Sequence, residues 1–349
     1  MQFSNSLVQW YLQNKRDLPW RDTINPYQIW LSEIMLQQTR VAQGLPYFIS
    51  FINAFPTVFD LANAEEDQVL KLWQGLGYYS RARNLHATAK YVAHELNGIF
   101  PDNYKELLKL KGIGEYTAAA IASFSYNEPV AVLDGNVYRV LSRYFNMDND
   151  ISDTKTKKVF QTLAQEVLLK DNPAIFNQAI MEFGALQCVP KNPDCESCVL
   201  SNSCAALQYN KVAQLPVKSK KTKVTPKYFN YLILKDITGK FIVQKREGKG
   251  IWENLYEFPL FETTELMAPE VIEKQLIQMD FFGQKAKEII LLNSEIIKHK
   301  LSHQHLFIRF FLMEFDVELP DSKGFEEIKK LPFPIVIHNF MLSNYFNSH

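Results

Sequence analysis

The sequence predicts a multidomain protein, an all-α N-terminal domain followed by a smaller α+β domain, and three observations carry that expectation. Apolar residues recur at helical spacing in segment after segment as far as residue 210. From residue 228 the pattern changes to period-two alternation broken by turn residues. Between the two, residues 211–227 hold six lysines (Lys211, Lys218, Lys220, Lys221, Lys223 and Lys227) and two prolines, a composition suited to a solvated linker. The expected boundaries are therefore 1–210, a linker at 211–227, and 228–349, and a chain of 349 residues does exceed what one core usually supports.

The helices of the first domain announce their starts. Asn25-Pro26, Pro56-Thr57, and Asp153 or Thr154 each place capping chemistry before an apolar-periodic run. The stretch LLKLKGIGEYTAAAIA (107–122) reads as helix, Gly-x-Gly turn and helix. Gly112 and Gly114 allow a tight turn and leave the next helix's amides available to a phosphate, although a plain helix-helix turn fits the same residues. Asp134 stands before the helix of Val137, Val140 and Leu141. It reads either as an N-cap or as an ionised group facing a cationic transition state.

The domain closes on the chain's four cysteines, Cys188, Cys195, Cys198 and Cys204, spaced C-x6-C-x2-C-x5-C. Four thiolates in so short a loop suit a [4Fe-4S] cluster. Zinc more often takes two C-x2-C pairs and only one is present, while a pair of disulfides lacks the secretory h-region that would favour it. Beyond the linker, Tyr228–Leu234 and Lys240–Lys245 alternate around a turn at Asp236–Gly239. A helix is expected near 269–279, and His305–Val317 is a second β-rich run.

Charge and hydropathy narrow the function classes. Residues 1–210 carry 18 Lys+Arg against 21 Asp+Glu, so bulk charge does not announce nucleic acid and any such binding must come from local patches. No run approaches the roughly 18 apolar residues of a membrane span, so no membrane partner and a cytoplasmic location, nucleoid-associated if bacterial, are expected. No internal repeat or low-complexity tract is visible, and nothing supports a homo-oligomer.

Together, the glycine hairpin, the downstream aspartate and the trailing four-cysteine loop resemble the helix-hairpin-helix DNA glycosylases of the endonuclease III superfamily. RDLPWR (16–21), PYQIWLSEIMLQQT (26–39), LWQGLGYYSRARNL (72–85) and NQAIMEFGALQC (177–188) are similar to its MutY branch, the adenine DNA glycosylases. The resemblance implies a [4Fe-4S] cluster, double-stranded DNA holding A:8-oxoguanine or A:G mispairs as substrate, and a monomeric enzyme. It implies Glu33 as general acid and base, in an apolar setting with Ile29 and Ile34 that would raise its pKa. Adenine leaves poorly as an anion, so protonating its imidazole ring first is the sensible use of that acid.

Asp134 would then stabilise the oxocarbenium-like sugar, with Tyr116 beside it. Bifunctional relatives have a lysine at that position as Schiff-base nucleophile, which a phenol cannot replace, so a monofunctional enzyme is implied. Several relatives also have a lysine where this chain has Tyr138. Trp20, Arg21, Leu36, Gln178 and Met181 match the adenine pocket, and Arg16 either supports it or pairs with Asp17 at the surface. Gln38 and Tyr78 match the intercalating residues, Tyr78 being otherwise a half-buried packing residue.

The C-terminal part resembles the MutT-like domain of this branch, a version of the Nudix fold. GIWENLYEFPL (250–260) matches, yet the acidic metal-binding helix of true Nudix hydrolases is absent, so pyrophosphatase activity is not expected. HKLSHQHL (299–306) resembles the lesion-reading Phe-Ser-His segment, with Ser302 bonding 8-oxoguanine, His303 supporting it, and Leu301 where many members have Phe. His299, His303 and His305 also admit a zinc reading, though without an evident fourth ligand. Two other function classes compete: a bifunctional oxidised-pyrimidine glycosylase and lyase, and a noncatalytic DNA-binding or electron-transfer protein. Tyr116, Glu33 and the C-terminal domain oppose the first, the coincidence of Glu33, Tyr116 and Asp134 opposes the second, and the cysteines then read as a clamp presenting basic side chains such as Lys191.

Overall fold

The structure is a computed structural model that describes residues 2–219 and 223–343. Two compact units result, one of residues 1–63 with 84–220, the other of 64–83 with 221–349. Residues 64–83 fall within the expected 1–210 domain by sequence, whereas their contacts group them with the C-terminal strands. No helix among the described residues is long and apolar enough to cross a membrane.

At the centre of the first unit is the helix Pro26–Leu36. Asn25 accepts a hydrogen bond from the Tyr27 amide, Pro26 sits at N1, and every residue from Ile29 to Met35 is buried. A helix apolar on all sides belongs inside a core, and this one lies between Val41–Ala54 and Glu115–Tyr126. The helix Pro173–Leu186 packs against Gln2–Asn14 and Gly135–Tyr144, and Leu7, Trp10, Val140, Phe160, Phe176 and Phe183 fill the space between. Each such side chain contributes about 1.5–3 kcal/mol by leaving water.

The hairpin forms as expected, from Tyr104–Leu107 into Glu115–Tyr126, but its two glycines do different work. Gly112 has φ +75, and a Cβ there would lie 2.8 Å from Asn84 Cβ, so both conformation and space demand glycine. Gly114 has an ordinary φ of −89, and a Cβ would meet nothing within 4 Å. Its bareness therefore leaves open space before the helix rather than enabling the turn. Thr88 Oγ1 donates to Lys111 O at 2.6 Å and pins the loop.

The expected linker is shorter than its composition suggested. Leu215 is buried, Arg143 Nε donates to its carbonyl at 3.0 Å, and Ile151 N donates to Val217 O at 3.0 Å. One apolar residue in a basic stretch is enough to dock it. Lys220 and Lys221 lie outside the described residues, and Lys227 is already within a strand, paired with Glu262 at 2.6 Å.

The second unit is built on β1 (Thr225–Lys235), β2 (Gln244–Lys245), β3 (Tyr256–Glu257), β4 (Leu260–Thr263), β5 (Glu288–Leu291), β6 (Ile297–Lys300) and β7 (Gln304–Glu314). The main sheet runs β4-β1-β7-β5, with β6 also pairing β7, and β1 is parallel to β7 from Thr225↔Gln304 to Lys235↔Glu314. The expected turn at Asp236–Gly239 forms, with Asp236 N donating to Lys240 O at 2.9 Å and Ile242 N to Leu234 O at 3.1 Å around a bridge at Phe241, but the returning segment does not continue as a long partner of β1, and Gln244 and Lys245 pair β3. Period-two alternation sends Leu232 and Leu234 to the helix Pro269–Leu276 with Phe311 and Met313, while Tyr231 and Phe310 stack on the other face.

Candidate active site

The helix Pro26–Leu36 presents Glu33, and the second helix of the hairpin, Glu115–Tyr126, presents Tyr116 at its second residue. The Tyr116 hydroxyl donates to Glu33 Oε2 at 2.6 Å. Glu33 is 6% exposed, and loss of water pushes its pKa up to about 7, against the pull of the Tyr116 hydrogen bond. Burial and the two neighbouring carboxylates hold the phenol well above its ordinary value, so it stays a donor. The result is a carboxyl poised at neutrality, as a general acid requires.

Asp134 caps the helix Gly135–Tyr144, accepting from the Asn136 and Val137 amides at 2.9 and 2.8 Å. Burial raises its pKa while those amides and the Asn136 side chain oppose the rise. Sequence reasoning missed what stands behind it. Asn136 Nδ2 donates to Asp134 Oδ2 at 2.8 Å, and Arg139 Nη2 donates to Asn136 Oδ1 at 2.8 Å. Arg139 also reaches Gly184 O at 2.6 Å and Cys188 O at 2.7 Å. A Cβ on Gly184 would fall 2.7 Å from Asn136 Cβ, so this glycine lets the two helices close on the chain.

The pocket floor rests on a second missed residue. Glu182 is 1% exposed and accepts from Arg16 Nε and Nη2 and from Arg21 Nη1 and Nη2 at 2.6–2.9 Å. Burial alone would raise its pKa, but the two guanidiniums outweigh burial and hold it at about 2. Its stabilisation is thus present above the ordinary carboxyl pKa and lost only as pH falls toward 2. A charge inside the apolar run AIMEFGAL was the available signal, since a buried carboxylate demands partners. Arg16 accordingly supports the pocket instead of pairing with Asp17.

Trp20, Arg21, Glu33, Leu36, Tyr116, Asp134, Gln178 and Met181 line one cavity of about 530 Å3. Gln178 Oε1 is held by the Tyr11 hydroxyl at 2.5 Å, which leaves its amide nitrogen available, and Met181 Sδ lies 3.9 Å from the Tyr116 oxygen. A second cavity shares Glu33, Leu36, Tyr116 and Asp134 and adds Gln38 and Gly114. Gln38 has φ +56, and Tyr78, in the second unit, has φ +47 and is 43% exposed. Left-handed conformations are uncommon for such side chains. Leu301, Ser302 and His303 form the turn between β6 and β7, closed by Leu301 N donating to Gln304 O at 2.8 Å, with Ser302 and His303 exposed.

Cys188, Cys195, Cys198 and Cys204 line one cavity whose remaining wall includes Val140, Phe183, Leu200 and Arg143. Arg143 Nη1 lies 3.4 Å from Cys188 Sγ, a cation beside the thiolate set. Among the described residues no three His, Cys, Asp or Glu side chains gather closely enough for a single metal ion, at the cysteines or at His299, His303 and His305. All four sulfur-bearing side chains line this one cavity, and an all-cysteine donor set beside Val140, Phe183 and Leu200 fits an iron–sulfur core. Burial raises the thiols of Cys195, Cys198 and Cys204, and each thiolate opposes the next.

Residues 31–166 match the HhH-GPD superfamily of base excision DNA repair proteins, and residues 230–343 match the NUDIX domain. The chain is 38% identical over 307 residues to an adenine DNA glycosylase of Buchnera aphidicola subsp. Baizongia pistaciae, covering 88% of this chain and 84% of that protein. It is 37% identical to the adenine DNA glycosylase of Buchnera aphidicola subsp. Schizaphis graminum, covering 94% and 91%. A solved thermostable thymine-DNA glycosylase superposes with a TM-score of 0.55 and 28% identity, covering 59% of this chain and 95% of that one.

Proposed function

Because this chain belongs to the adenine DNA glycosylases and so removes adenine in base-excision repair, we propose that its substrate is adenine mispaired with 8-oxoguanine or guanine in double-stranded DNA. It hydrolyses the N-glycosidic bond and leaves the strand intact. The observation that carries this reading is the Glu33–Tyr116–Asp134 set inside one cavity.

Tyr116 occupies Glu33 Oε2, so the acid proton belongs on Oε1, from which it passes to the imidazole ring of adenine as the bond breaks. Asp134 faces the positive charge that develops on the sugar, while Gln178 reads the adenine edge among Trp20, Arg21, Leu36 and Met181. A phenol at 116 forms no Schiff base, hence no strand cleavage. Gln38 and Tyr78 fill the stack that adenine leaves, which their exposed left-handed positions support. The turn at Leu301, Ser302 and His303 reads the opposite 8-oxoguanine.

Cys188, Cys195, Cys198 and Cys204 hold a [4Fe-4S] cluster that serves as a fold-holding clamp. Purified anaerobically, the protein should be brown and contain iron and sulfide; zinc alone would overturn this assignment. Duplexes with adenine opposite 8-oxoguanine test the chemistry. The strand should break only after alkali, whereas scission without alkali, or a borohydride-trapped adduct, would exclude the monofunctional reading. Ser302→Ala should narrow the rate advantage of 8-oxoguanine over guanine, and an unchanged ratio would remove Ser302 from lesion reading.

A further inference from the structure

The segment 64–83 is compact with the C-terminal strands, and its polar contacts explain why. Asp67 pairs with Lys245 at 2.7 Å and accepts from the Tyr256 hydroxyl at 3.1 Å, and Glu66 accepts from Asn254 Nδ2 at 2.7 Å. Lys71 Nζ donates to the carbonyls of Lys329 and Leu331 at 2.7 and 3.1 Å. On the far side of the loop, Arg83 grips both the carboxylate and the carbonyl of Glu253, each at 2.7 Å.

These contacts bracket the loop that carries Tyr78. Within it, Gly75 and Gly77 have φ of +104 and +75, Trp73 Nε1 donates to Gly77 O at 3.0 Å, and the Arg81 guanidinium lies over the rings of Trp73 and Tyr78. A tyrosine at φ +47 persists only where its surroundings determine the backbone on both sides. Glu253, Asn254 and Tyr256 all come from GIWENLYEFPL, within the region that matches the NUDIX domain.

We propose that Asp67, Lys71 and Arg83 are positioning residues through which the Nudix-like domain, by GIWENLYEFPL and the 329–331 turn, holds the Tyr78 loop ready to enter the base stack. The inference rests on the reading of Tyr78 as an intercalating residue. It assigns the degenerate Nudix segment a mechanical task on the adenine side of the reaction, separate from the lesion-reading turn. Each ion pair is partly exposed and weak alone, so the brace works as a set.

The test is a double-mutant cycle on single-turnover adenine release from an A:8-oxoguanine duplex, with 2-aminopurine beside the target reporting unstacking. Asp67→Asn with Arg83→Gln, and separately Lys71→Met, should each slow release about 10-fold and lower the fluorescence rise, at unchanged thermal stability of the helical unit. Tyr78→Ala should do the same, and adding it to either brace variant should cost less than 2-fold more, since the effects pass through one residue. Brace variants with normal rates beside a slow Tyr78→Ala would overturn the brace and leave the wedge standing. A normal Tyr78→Ala would overturn the wedge and the brace with it. Losses that multiply independently would reveal a merely structural role and also overturn it.

Discussion

Glu33→Gln is expected to slow adenine release by about 10²–10⁴-fold, the range that a positioned general acid supplies. The amide keeps the volume and accepts the Tyr116 hydrogen bond, so the pocket should retain its shape while losing the transferable proton. The pH profile gives the sharper check. Because the active form is the acid and its pKa stands at about 7, the wild-type rate should be level below neutrality and fall as pH rises through 7. Stability should fall with rising pH as well. A buried carboxyl that ionises at about 7, against 4.5 in the unfolded chain, costs the fold roughly 3 kcal/mol above pH 7 and nothing below about 4.5. Glu33→Gln should thus be nearly inactive yet more resistant to denaturant at pH 8, with the difference closing on acidification. A variant that keeps its rate, or a wild-type rate that rises through pH 7, would remove Glu33 from the acid role.

Glu33 came from the resemblance to the MutY branch, and its place in WLSEIMLQQ, mostly apolar or amide, argued against a solvated surface glutamate. The same signal marked Glu182, but its partners Arg16 and Arg21 are far along the chain, and no local spacing names them. Arg139 was harder still. Three of its acceptors are backbone carbonyls, those of Gly135, Gly184 and Cys188, which carry no side-chain signature at all. Strand identity was likewise readable in Tyr228–Leu234 and in the β-rich run His305–Val317 that becomes β7, whereas their parallel pairing was not. Period two sets the face of a residue and leaves partner and direction to tertiary packing. Residues 64–83 separate from their helical neighbours for the same reason, since what binds them lies beyond residue 244.

The Asp134 substitutions separate a cap from a catalyst. Asparagine caps helices about as well as aspartate, so Asp134→Asn should retain the bonds from the Asn136 and Val137 amides and change stability by less than about 1 kcal/mol. It removes the negative charge aimed at the developing cation, and electrostatic groups of this kind are worth about 10²–10³ in rate. Adenine release should therefore fall by at least that factor in a protein that unfolds as the wild type does. Asp134→Ser, also a good cap, should behave alike. Arg139→Gln acts one step behind: it leaves Asp134 charged but strands the Asn136, Gly184 and Cys188 acceptors, each buried acceptor costing about 1–3 kcal/mol. Its rate should drop less than that of Asp134→Asn while its stability drops more. If Asp134→Asn instead lost stability and kept its rate, the aspartate would be a helix cap alone, and the charge facing the sugar would have to come from Glu33 after it has given up its proton.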